Sequence, residues 1–339
     1  MNANHNETVL ARGHAEHTDP SRNAAMDRTP HDAADEHPAA APTRRFAWFD
    51  GDLVDADAPL APLTTHALHY GSGVFEGIRS YATRVGGVAV FRLPEHLERM
   101  RRGAELLHIP FDVEEATQAV LATVRANADG DAYIRPLAWC GTGSIGLDVA
   151  ATGKHLMVAT WALDGGASVH LGGASVRLGG ASVRLGVSPW RRNPASSLPP
   201  LKLCGAYVNS ILAKAEAKSR GHDEALFVDA HGLVVECTGA NVFFVRAGRV
   251  VAVEHPDALP GITRDSVIAL TGAVSRAVTL DELRDADEVF VTGTAAEVMP
   301  ISELDGRRFG DATGRELARV YQRVVRGDEA TRAHWLCHV

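Results

Sequence analysis

The stretch PPLKLCGAYVNS, residues 199–210, sets Lys202 among prolines, leucines and a cysteine, directly ahead of an amphipathic segment. A lysine in such company does one of two things. Its stem lies along apolar surface while the ammonium reaches water, or its amine is kept partly desolvated, which favours the neutral nucleophile that Schiff-base chemistry needs. The lysine alone does not choose between them; the residues that come with it do.

Pyridoxal phosphate is the cofactor that makes most use of such an amine, and its ring draws electrons only while the ring nitrogen stays protonated. That requires an acid beside the ring. Glu236 closes the apolar run GLVVE just before CTGAN, a place where a carboxylate adds nothing to packing, although a surface strand-end Glu would read the same. The phosphate in turn requires a cradle of N–H groups, which helix N-termini offer. PGITRD supplies one such start at Gly261–Thr263, TGTAAE a second glycine turn with Thr294, and Arg99 a matching cation. By spacing alone, Arg99 is also one half of a surface i,i+4 pair with Glu95.

Patterning that could position these groups begins at Phe46. HALHYGSGVFEGIRSYAT reads as strand, glycine turn and strand. RLPEHLERMRRGAELLHIPF reads as a helix with Pro94 in its first turn and Leu97, Met100, Ala104 and Leu107 on one face. A second helix is predicted over Glu114–Ala128, then strands AYIRPLAW and HLMVATWAL. Beyond the lysine, Val208, Ile211, Leu212 and Ala215 recur at helical spacing, with Gly221 as C-cap. EALFVDAHGLVVEC and NVFFVRAGRVVAV each read as strand, turn and strand. LPGITRDSVIAL starts a helix with Thr263 at its N-cap and Val267, Leu270 and Val274 buried, and ADEVFVTGTAAEVMPI is a strand entering a Gly-Thr turn.

Between the halves a seven-residue unit, GGASVHL, GGASVRL, GGASVRL, fills residues 165–185. Three copies are too few for a solenoid, so the segment reads as an expanded connector. The expectation is an α/β chain of α+β texture: a disordered tail over 1–45, a small N-terminal domain over 46–162, a connector over 163–189 and a larger C-terminal domain over 190–339.

Composition sets the outer limits. With 339 residues, 45% hydrophobic and 22% charged, the chain is long enough for two cores. A net charge of −8 and the lack of a basic stripe speak against nucleic acid. No apolar run approaches the ~18 residues of a membrane span, and the N-terminus lacks the layout of a secretory signal. The four cysteines (140, 204, 237, 337) show no CxxC spacing. Residues 1–45 have no aromatic and few aliphatics, and their five histidines (5, 14, 17, 31, 37) lack the spacing of a fixed site, so no metal is expected. The whole reads as a cytoplasmic globular protein.

Several of these stretches, taken in order, resemble the class IV aminotransferases, pyridoxal-phosphate enzymes of fold type IV, and among them the branched-chain amino acid aminotransferases. The likeness runs from about Phe46 to the C-terminus through HALHYGSGVFEGIRSY, FRLPEHLERM, AYIRPL, KLCGAYVNS, ECTGANVFFV, LPGITRDSV and VTGTAAEVMPI. It implies a two-domain fold type IV enzyme in which Lys202 forms the Schiff base and Glu236 partners the pyridine nitrogen. Tyr207 matches the tyrosine that bonds the cofactor's phenolic oxygen, and Arg99, Ile262, Thr263 and Thr294 match phosphate-binding positions. Tyr70, Phe75, Tyr133, Arg135, Leu147 and Ala295 match positions of the substrate pocket. The resemblance further implies a homodimer in which Tyr70 and Leu147 serve the neighbouring subunit, acting on leucine, isoleucine and valine with glutamate and 2-oxoglutarate as the second pair.

The lysine flanks PPLKLC are bulkier than the small-residue runs of the family, the repeat lengthens the approach to the lysine, and a pocket tyrosine of the interdomain loop has no counterpart. A D-amino-acid aminotransferase, an aminodeoxychorismate-lyase-like enzyme and, outside catalysis, a binding module are the alternative readings.

Overall fold

The computed structural model describes residues 45–163 and 183–339, with two short paired strands, Val169–Leu171 and Ala174–Val176, between them. Apart from Arg45, the tail expected over 1–45 lies outside the described residues, as does most of the connector expected over 163–189. Arg44–Val339 forms one compact unit built on two large sheets.

The first sheet is antiparallel throughout, and its centre is the long pair Ala132–Cys140 and Lys154–Ala162. Along Ala132–Cys140 the two-residue period of a strand sends Ala132, Ile134 and Ala138 into the core while Tyr133 and Arg135 project together from the opposite face. Ile78–Ala82 pairs on one side, and the short strand Gly73–Phe75 pairs with the end of the same long strand. Two helices cover the inner face. Val113–Asn127 starts at Asp112, whose carboxylate accepts the N–H groups of Glu114 (2.7 Å) and Glu115 (3.1 Å), a cap worth about 1 kcal/mol. Leu93–Leu106 buries Leu97, Met100 and Ala104 as its periodicity predicts, while Leu107 is its half-buried C-cap, and the helix also carries Leu93, His96 and Arg99 inward. Leu97, Val120, Ile134 and Val158 form one core; each fully buried aliphatic of this kind contributes about 1.5–3 kcal/mol.

The second sheet is mixed. Its order is Val234–Cys237, Glu224–Val228, Val183–Val187, Glu297–Leu304, Glu288–Gly293, Asn241–Arg246, Arg249–Val253 and Val274–Arg276. Val183–Val187 lies near its middle, parallel to both neighbours, with Leu185 fully buried. The last three residues of the third repeat unit are therefore part of a core strand. The C-terminal strand Leu336–His338 pairs with Val88–Phe91 of the first sheet. Phe91 and Trp335 meet Phe243, Phe290, Tyr321 and Val324 in a core that joins the two sheets.

Two helices differ from the sequence reading. In Tyr207–Ser219 the buried residues are Ser210, Ala213 and Ala217, whereas Val208 (57% exposed) and Ile211 (64%) face outward. Small side chains let this helix seat closely on Ala225, Phe227 and Val235, and that close approach turns the apolar stripe away from the core. Arg220, not Gly221, is its C-cap. Ile262–Thr271 starts at Gly261 rather than Thr263 and ends at Gly272 in the left-handed region, which leaves Val274 exposed in a following strand.

Candidate active site

The lysine loop is gripped by the first sheet. Leu203 bridges Val74, and the Phe75 N–H donates to the Lys202 carbonyl at 3.1 Å. Gly71 makes the approach possible: its φ is +65°, and a Cβ there would stand 2.8 Å from the Cα of Gly205. Lys202 is half-buried, and its Nζ donates to the Tyr207 hydroxyl at 3.0 Å. Tyr207 comes within reach because the single 3₁₀ turn Cys204–Ala206 separates the lysine from the helix that Tyr207 opens.

Glu236 ends its strand inside the protein, not at a surface. One oxygen meets Arg192 Nε at 2.9 Å, and the other accepts the Leu259 N–H at 3.1 Å and the Asn241 amide at 3.4 Å. Burial pushes its carboxyl up to about 6 even though the Arg192 guanidinium pulls the other way. Arg192 was not singled out from sequence; its only signal is a second arginine after Trp190, ten residues ahead of the lysine.

Arg99 is not a surface residue. Its Nε and Nη2 bond the two oxygens of Glu76 at 2.7 and 2.9 Å, and Nη1 donates to the Pro260 carbonyl at 2.8 Å. Glu95, its expected partner, pairs with Arg92. Burial would raise the Glu76 carboxyl, but Arg99 and His96, whose Nδ1 lies 2.8 Å away, hold it far below the usual carboxylate range. Glu76 is the second residue that sequence reasoning missed, although it stands in the quoted stretch VFEGIR.

Three loops close the cavity around Lys202: Thr238–Asn241, Gly261–Thr263 and Thr292–Thr294, with Arg99, Arg192, Tyr207 and Glu236 also in its wall. No side chain caps the helix start at Gly261, so its first N–H groups are left for another acceptor. Thr263 is buried at that start, and the buried hydroxyl of Thr292 has no hydrogen-bond partner in the wall. Thr238 is held from behind, its hydroxyl donating to Glu224 at 2.6 Å. A cation, free helix-start N–H groups, threonine hydroxyls, a buried carboxylate and a lysine amine line one cavity, and this donor set fits a phosphorylated, protonated heteroaromatic aldehyde.

Of the expected pocket residues, Phe75, Tyr133 and Arg135 gather beside the lysine. The Phe75 ring lies 5.4 Å from Lys202 Nζ and 4.7 Å from the Tyr207 ring, with the Arg135 guanidinium 4.4 Å above it. Arg135 donates to the Tyr133 hydroxyl at 2.6 Å, while its Nε is buried without a hydrogen-bond partner. Ala295 is half-buried in the turn after Gly293. Tyr70 and Leu147 are not in this group. Tyr70 is half-exposed and donates to the Ile145 carbonyl at 2.8 Å, and Leu147 is 81% exposed on the same loop.

The family profile described as amino-transferase class IV matches residues 73–304. The branched-chain-amino-acid aminotransferase of Pseudomonas aeruginosa is 37% identical over 301 residues, 85% of this chain and 95% of that protein. Among solved structures, the branched-chain amino acid aminotransferase from Thermobaculum terrenum in its PLP-form is 32% identical, with a TM-score of 0.78 over 87% of this chain and 98% of that one. The branched-chain aminotransferase from the thermophilic archaeon Thermoproteus uzoniensis, solved with norvaline, is 37% identical, with a TM-score of 0.79 over 87% and 99%.

Proposed function

The chain belongs to the class IV aminotransferases, of fold type IV, and from that membership we propose that it moves amino groups between branched-chain L-amino acids and 2-oxoglutarate on pyridoxal phosphate. The observation that carries this reading is the convergence of Lys202, Tyr207, Glu236 and Arg99 on one cavity beside an uncapped helix start. Lys202 would hold the cofactor covalently and Glu236 its ring nitrogen. Arg99, the N–H groups of Ile262 and Thr263, and Thr294 would hold its phosphate. When bound, the cofactor supplies an electron sink for the pair left at the substrate's α-carbon.

The chain's own groups do the rest. Lys202 Nζ, once released by the incoming amine, would take the proton from the substrate's α-carbon and pass it to the cofactor carbon that keeps the amino group, and the Tyr207 hydroxyl at 3.0 Å would keep that nitrogen in place between the two events. Glu236 is held ionised by Arg192 so that it can face a cation. An aliphatic side chain has the Phe75 ring to pack on. A second carboxylate, as in glutamate, has the unpartnered Nε of Arg135 beside the same ring, which lets one pocket accept both substrates. Tyr133 and Ala295 complete this wall.

Tyr70 and Leu147 are best placed for a neighbouring subunit. Tyr70 ends the helix His66–Tyr70 and bonds the loop that carries Ile145 (84% exposed) and Leu147, and a homodimer would cover these exposed apolar side chains. The four cysteines are free thiols, which suits a cytoplasmic enzyme, and among the described residues no helix is long and apolar enough to cross a membrane.

The test is the half-reaction. Addition of L-leucine to the cofactor-loaded protein bleaches the visible band of lysine-bound cofactor and releases the 2-oxo acid, and borohydride fixes the label to the peptide of Lys202. Conversion of D-leucine in preference to L-leucine, or a label on another lysine, overturns the reading.

A further inference from the structure

Glu297 lies outside the cavity wall, yet it is 2% exposed and its backbone is left-handed at φ +53°. It pairs with Gly293 across the hairpin turn Thr294–Ala296, at a position where glycine or asparagine would meet the backbone requirement without strain. A glutamate persists in such a conformation when its surroundings over-determine it. Here they do. The Tyr81 hydroxyl donates to Oε1 at 2.7 Å, the Gln322 amide donates to Oε2 at 2.6 Å, and Arg79 Nη1 lies 3.0 Å from Oε1 as an ion pair.

These anchors come from different parts of the fold. Arg79 and Tyr81 belong to the first-sheet strand Ile78–Ala82, and Gln322 to the helix Ala312–Val325. The neighbouring Tyr321 is buried with the hydroxyls of Thr263 and Tyr81 around its own. One network thus ties the turn carrying Thr294 and Ala295, the helix start carrying Thr263, and the sheet that grips the lysine loop.

We infer that Glu297, with Tyr81 and Gln322, is a positioning residue that locks the Thr294–Ala296 turn and thereby sets the affinity for cofactor phosphate and for the substrate at that turn. It acts through the turn and touches neither. The inference rests on the assignment of Thr294 and Ala295 to those two ligands.

The experiment uses the full chain, stripped of cofactor and titrated with pyridoxal phosphate, alongside steady-state kinetics with leucine. Tyr81→Phe and Gln322→Leu each remove one anchor, Glu297→Gly removes all of them while easing the backbone, and Val120→Ala, in the other core, is a stability control. The anchor variants raise the cofactor dissociation constant and the KM for leucine by roughly tenfold, the scale of one hydrogen bond to a charged group, with kcat moving less. Val120→Ala lowers the melting temperature and leaves both constants alone. Anchor variants that melt lower with both constants unchanged overturn the inference, and Tyr81→Phe with Gln322→Leu still decide should Glu297→Gly fail to fold. Thr294→Val separates the two levels. If it leaves the dissociation constant unchanged, the site assignment falls and this inference with it; if it raises the constant while the anchor variants do not, only the inference falls.

Discussion

Glu236 offers a test that needs neither cofactor nor substrate. Burial lifts its carboxyl from 4.5 to about 6 despite the nearby Arg192. A carboxyl raised on folding stabilises the native state fully below its unfolded pKa, and that contribution is lost as pH rises through the folded value. In the cofactor-free protein, Glu236 therefore costs stability between about pH 4.5 and pH 6. At about 1.36 kcal/mol for each unit of pKa, the loss is about 2 kcal/mol, or some 3 °C in melting temperature for a chain of this size. The perturbation is Glu236→Gln. The amide leaves Arg192 buried without its carboxylate, an offset of up to about 3–5 kcal/mol that displaces the variant's whole curve, so the comparison rests on how the difference changes with pH and not on its size at one pH. Melting temperatures of both proteins, taken every half unit from pH 4.5 to 7.5, isolate the residue, since every other titrating group cancels in the difference. Relative to the variant, the parent should lose about 3 °C across the window. A difference that stays flat, or one in which the parent gains with rising pH, would refute the account of a buried, reluctantly ionised Glu236.

Other consequences are as direct. Glu76→Gln removes one of the two oxygens that hold Arg99, and the cofactor dissociation constant should rise about tenfold in an absorbance titration. Because its carboxyl lies far below the ordinary range, Glu76 contributes its full stabilisation above pH 4.5, and the parent should lose that advantage over the variant only on acidification below it. At Gly77 an added Cβ would stand 2.2 Å from the Tyr133 hydroxyl, so Gly77→Ala should raise the KM for leucine while the spectrum of the bound cofactor stays as it was. If Leu147 serves a neighbouring subunit as proposed, Leu147→Arg, at an 81% exposed position, should yield a monomer in light scattering, with turnover reduced.

What could be read along the chain was what neighbouring residues impose on one another. Lys202 and Tyr207 are five residues apart, Gly261 and Thr263 share one helix start, and Glu236 sits at the end of its own strand; each of these motifs carries its geometry locally. The partners that tune them do not. Arg192 reaches Glu236 across 44 positions, Glu76 reaches Arg99 from the link between two strands to a helix, and Arg79 reaches Glu297 between two sheets. Only the packing of elements distant in sequence brings such charges together, and spacing in sequence holds no trace of it. Periodicity misled for a related reason. Val208, Ile211 and Leu212 make the more apolar stripe of their helix, but burial goes to the side that can approach closest, and Ser210, Ala213 and Ala217 are the residues small enough to allow it. The third repeat unit shows the same priority of context over pattern. Residues 183–185, the VRL of the third copy, enter the second sheet, where Glu224–Val228 and Glu297–Leu304 lie on either side as parallel partners. A strand of that sheet is thus made by its neighbours as much as by its own residues, and the same holds for the site. Lys202 acquires its environment from the strand Gly73–Phe75, which belongs to the other sheet and lies more than a hundred residues away.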